Sequence, residues 1–101
     1  MINNKDKSII DFVNMIQHEI DSHGWIIIDN WDADRFAVGI AKKANPKILV
    51  YISTYEKSPF KYDYECEMPE NDQGLEYEAI DKEVDVDIKK VVSILKQHLK
   101  I

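Results

Sequence analysis

The sequence predicts an α+β domain, an antiparallel sheet of four to five strands in a meander flanked by an N-terminal and a C-terminal helix. Three observations predict it. A stretch near each end carries apolar residues at the three- and four-residue spacing of one helix face. Between them stand short apolar or alternating runs separated by Gly, Pro, Asn and Asp, the pattern of strands joined by tight turns. Consecutive strands with short connections pair antiparallel, and each helix has one apolar stripe to bury against them. The 101 residues make a single domain spanning 1–101, long enough to bury roughly two thirds of the unfolded surface without a disulfide.

Residues 1–7 are polar and are expected to fray. Ser8 reads as an N-cap for a helix whose apolar face is Ile9, Phe12, Val13, Ile16 and Ile20, and Gly24 ends that helix as the residue able to sit left-handed. Trp25 to Asp29 is a short apolar strand, and residues 30–34 are rich in turn formers. In Arg35 to Ala41 one face carries Phe36, Val38 and Ile40. The other carries only Ala37, Gly39 and Ala41, so a helix is expected to pack close against that small side. Lys42 to Pro46 makes a turn.

The chain is organised around the hairpin from Lys47 to Glu67. Its first arm is a nearly uncharged run of β-branched and aromatic residues, suited to a central strand buried on both faces. Ser58 and Pro59 turn the chain. The second arm alternates, with Tyr62, Tyr64 and Cys66 on one face and Asp63, Glu65 and Glu67 on the other. Residues 68–74 form a polar loop, and Leu75, Tyr77 and Ala79 alternate with Glu76 and Glu78 as in a half-buried strand, although a loop or the front of a helix fits as well. Asp85 or Asp87 caps the last helix, whose stripe is Ile88, Val91, Val92, Leu95 and Leu99.

The formal net charge of −6 is unevenly spread. Between Asp63 and Asp87 eleven acids face one base, Lys82, while the rest of the chain is basic on balance. A solvated charge run explains this, and so does a surface that attracts something basic and repels nucleic acid and anionic membrane. No apolar run reaches the roughly 20 residues of a membrane helix and the start is charged, so a cytoplasmic protein is expected.

Signals for catalysis are weak. The three glycines are far apart, no paired-cysteine or HExxH spacing occurs, and His18 and His23 do not share a helix face. No cofactor or metal is expected. His98 stands where it would stabilise a helix end. Cys66, on the tyrosine face of its strand, reads as a small buried hydrophobe, and no histidine adjoins it in the sequence. A small enzyme using Cys66 or a histidine is a further reading. Protein binding is better supported: Asp63, Glu65, Glu67, Glu76 and Glu78 supply charge, and Trp31, Tyr55 and Phe60, near turns, are candidate aromatic anchors.

The run Tyr51-Ile52-Ser53-Thr54-Tyr55, then Pro59, Tyr62 and Tyr64-Glu65-Cys66-Glu67, preceded by Asp34-Arg35-Phe36-Ala37-Val38-Gly39 and closed by His98-Leu99, resembles small immunity proteins of bacterial contact-dependent growth inhibition and polymorphic toxin systems. Members of that family usually carry glycine after the turn proline, where this chain has Phe60. The resemblance implies a non-enzymatic cytoplasmic protein that binds the toxic C-terminal domain of a cognate effector. Many such toxins are nucleases, neutralised by occluding the active site or a surface beside it. The alternative from the residues alone is an acidic adaptor or nucleic-acid mimic that binds a basic host protein.

Overall fold

The structure is a computed structural model and describes residues 4–29, 34–69 and 77–100. Two N-terminal helices, α1 (Lys7–Met15) and α2 (Gln17–His23), precede five strands, β1 (Ile26–Ile28), β2 (Ala37–Lys42), β3 (Asn45–Ser53), β4 (Tyr62–Pro69) and β5 (Tyr77–Val86), and α3 (Ile88–His98) closes the chain. The strands form one antiparallel sheet in the order β1-β2-β3-β4-β5. This is the expected α+β meander, with β3 in the middle.

The N-terminal helix differs from expectation at both its start and its middle. The cap is Asp6, whose carboxylate accepts from the Ser8 N–H at 3.0 Å and from the Ser8 hydroxyl at 2.7 Å. An aspartate at this place also suits the positive end of the helix. Ile16 interrupts the helix, and Gly24, at φ 67°, ends its second half left-handed as expected. The segment before the cap is not frayed at residues 4–6. Lys5 is buried, pairs with Asp29 at 2.7 Å and donates to the Asp34 carbonyl at 2.8 Å.

The largest buried cluster lies on one face of the sheet. Val38 and Ile40 from β2, Val50 and Ile52 from β3, and Tyr62, Tyr64 and Cys66 from β4 meet Ile9, Phe12, Val13, Ile16 and Ile20 of the first helices and Val91, Ile94, Leu95 and Leu99 at the C-terminal end. Phe12 and Tyr62 rings stand 5.0 Å apart. The expectation that a helix packs against Ala37, Gly39 and Ala41 is therefore overturned. Those residues alternate with Val38 and Ile40 and fall on the opposite face. The larger residues attract the helices because they bury more apolar surface.

Asp87, of the two candidate caps, holds α3 by accepting from Lys90 N–H at 2.9 Å. Residues 77–86 settle the open assignment as a strand, longer than the alternation suggested. Two register shifts break its pairing with β4, and Asp85 sits left-handed at φ 56° in one of them. No helix among the described residues is long and apolar enough to cross a membrane.

Candidate functional site

Strand register assembles a surface on the face that the helices leave uncovered. Reading across the sheet, one row runs Ile28, Gly39, Tyr51, Glu65, Lys82, and the next runs Ile26, Ala41, Leu49, Glu67, Ala79. A third places Ala37 beside Ser53 and Asp63. The face is thus apolar over β1 to β3 and acidic along β4. Ala37, Ala41 and Leu49 are buried, whereas Ile26, Ile28, Tyr51, Asp63, Glu65 and Glu67 are half-buried. Ile26, Ile28 and Tyr51 are thus the apolar side chains that this face leaves partly accessible beside the carboxylates of β4.

The three carboxylates of β4 are not equivalent. Asp63 is clamped by Lys57, whose ammonium lies 2.8 Å from Asp63 and 3.1 Å from Asp85. Asp63 also accepts the Asp85 N–H at 3.1 Å, fixing the left-handed residue of the register shift. These hydrogen bonds, to Asp63 first and then Asp85, raise the Lys57 pKa. Among the described residues Glu65 and Glu67 have no ion-pair partner. Burial, and after it the charge of Glu65, pushes the Glu67 carboxyl upward. Lys82 stands across from Glu65 in the register without closing an ion pair, so Glu67 is the carboxylate of the face with no cation opposite it.

Of the expected anchors, Tyr55 and Phe60 are 57% and 64% exposed in the loop between β3 and β4. Tyr55 rests edge-on against Phe36, with centroids 5.6 Å apart. The turn at Ser58 and Pro59 proves to be part of an eight-residue connection, 54–61. Trp31 and Glu76 lie outside the described residues. Glu78 falls in β5 opposite Met68, one residue out of step with the column formed by Glu65 and Glu67. Sequence reasoning missed Lys57, and it missed Ile26, Ile28 and Tyr51 as the apolar half of the acidic face. The three successive isoleucines of β1 have no alternation that would reveal which of them points away from the helices.

The structure does bring a histidine to Cys66. A cavity of about 430 Å³ is lined by Cys66, Asp81, Ile94, Gln97 and His98. Its chemistry is opposite to that of a cysteine nucleophile. The thiol is 2% exposed, and burial first, then Asp81 and Glu65, push it up to about 12, whereas an activated thiol is pushed down by neighbouring cations. His98 Nε2 donates to the Glu67 carbonyl at 2.9 Å, so the histidine ties the end of α3 to β4. His23 stacks on Trp25 at 4.4 Å, and no group of three metal-ligating side chains gathers among the described residues.

Tyr64 completes the inner side of β4. Its hydroxyl lies 2.9 Å from Glu83 and 3.2 Å from Asp81, and has one proton to donate between them. Burial, followed by these acids, raises the phenol pKa. Among the described residues this surface places no general base beside a poised nucleophile. No protein-family model, no curated protein and no solved structure matches this chain.

Proposed function

We propose that this chain is an immunity protein that binds the toxin domain of a cognate effector, a nuclease, and blocks its active site or a surface beside it. The observation that carries the reading is the pair Glu65 and Glu67, which form no ion pair among the described residues and stand beside Tyr51 on a sheet face that no described helix covers. A nuclease cleft is basic because it must hold phosphates. Opposed charge speeds the encounter, and affinity then comes from a few desolvated aromatic and aliphatic groups. Because the toxin acts inside the cell, the proposed compartment is the cytoplasm.

The test pairs the protein with the toxin domain of the effector encoded directly upstream. Co-expression is expected to restore growth, and the two chains are expected to co-purify. Charge reversal by Glu65→Lys together with Glu67→Lys should slow association at low salt by about tenfold or more, the lower part of the range for electrostatic steering. An unchanged association rate would mean that the acidic column is ordinary solvated surface. Binding to basic proteins of every kind, without protection of growth, would instead favour an acidic adaptor.

A further inference from the structure

The loop between β3 and β4 holds two residues other than glycine, Glu56 and Phe60, left-handed at φ 55° and 65°. A Cβ resists that conformation, and a bulky side chain is rarely found there. Contacts on several sides impose it. Lys57 N–H donates to Thr54 O at 3.2 Å and Lys61 N–H to Ser58 O at 3.1 Å. The Thr54 and Ser8 hydroxyls meet at 2.6 Å, and Lys57 ties the loop to Asp63 and Asp85. What this frame presents is the Phe60 ring, which the core does not use.

Behind the ring a notch of about 270 Å³ separates the loop from the first turns of α1. Pro59, Phe60 and Tyr62 line it together with Lys7, Asp11, Lys57 and Lys61. It lies at the lower bound of the roughly 300–1,000 Å³ of small-molecule sites and has room for a side chain. Lys7 is paired with Asp11 at 2.7 Å, and Lys57 with Asp63 and Asp85. Lys61 is thus the one cation lining the notch that is left without a carboxylate among the described residues.

We infer that this notch takes an apolar side chain of the bound partner protein, one whose neighbouring carboxylate meets Lys61, with Phe60 as the aromatic wall. The inference rests on the protein-binding reading above and adds a second contact of opposite polarity. Two contacts of opposite sign fix the orientation of a partner, because a reversed pose sets like charges together. Backbone strain kept at a rigid, exposed aromatic is then accounted for by what the ring does in the complex.

The notch can be tested without the toxin. N-acetylphenylalanine carries a ring beside a carboxylate, and its amide lacks the charge. Each is titrated into ¹⁵N-labelled protein. The acid should shift the amides of Lys7, Ser8, Phe60, Lys61 and Tyr62 with a Kd on the order of millimolar. The amide and the Lys61→Glu variant should bind about two- to fivefold more weakly, as an exposed ion pair allows. Phe60→Gly should lose the response while melting no lower than the parent, since glycine accepts the left-handed backbone. Shifts scattered over the surface, or a response that survives both substitutions, would overturn the inference. Glu65→Lys should leave this titration unchanged while slowing association with the toxin domain, so either reading can fail without the other.

Discussion

Glu67 is where stability and the proposed function oppose each other. Its carboxyl lies above the ordinary 4.5, through burial and the neighbouring Glu65, so the fold disfavours its ionised form. Residues two apart on one strand face stand roughly 7 Å from each other. Two like charges at that separation repel by about 0.6 kcal/mol in bulk water and by about 2.4 kcal/mol at an effective dielectric near 20. Physiological salt, with a Debye length of about 8 Å, removes roughly half. Because Glu67 is half exposed, the net cost is about 0.5–1 kcal/mol. Glu67→Gln should stabilise the free protein by that amount, raising Tm by about 2–8 °C for a domain of this size. A carboxyl whose folded pKa exceeds its unfolded one destabilises the fold above the folded pKa, and the cost disappears as pH falls below the unfolded value. Thermal melts of both proteins at about pH 8 and about pH 3.5, in low and high salt, should therefore differ only at the higher pH, and less in high salt. A glutamine variant that melts lower at the higher pH, or a gap independent of pH, would refute the reasoning.

Two further outcomes test the described geometry. Cys66 is buried and its thiol held protonated, so a disulfide reagent at neutral pH should label the native protein only as fast as the fold opens; rapid labelling would show an accessible thiolate. Asp87→Ala removes the carboxylate that accepts from Lys90 N–H and should cost about 1 kcal/mol in denaturant unfolding, whereas an effect near zero would remove Asp87 as the working cap.

The helices and the central hairpin were legible because each has a period. Ile9, Phe12 and Val13 mark a helix face, and Tyr62, Tyr64 and Cys66 mark a strand face. Alternation in Phe36 to Ala41 separated the two faces correctly but not which one the helices take, because both faces of β2 are buried. Asp6, not Ser8, caps α1, and both lie within one turn of the boundary, where a polar residue at either place makes the same local signal. Lys57 was illegible for another reason. Its two partners stand 6 and 28 positions away in sequence, and only the register of β4 against β5 brings them to one ammonium.

That register also changes what the acidic run means. Of the eleven acids between Asp63 and Asp87, seven have described side chains, and five of these are engaged within the fold. Asp63 and Asp85 hold Lys57, Asp81 and Glu83 flank the Tyr64 hydroxyl, Glu83 also pairs with Lys90 at 3.4 Å, and Asp87 caps α3. Glu65 and Glu67 are left. A partner that read the whole run would feel a broad negative field, weakening smoothly with salt. A partner placed on the helix-free face meets two specific carboxylates beside Tyr51, where a pair of cationic side chains would relieve their mutual repulsion and return Glu67 to its ordinary ionisation. Binding of such a partner should consequently release protons just above the ordinary glutamate range. Proton release on complex formation, absent in the Glu67→Gln variant, separates specific docking on this column from attraction to a diffuse acidic surface.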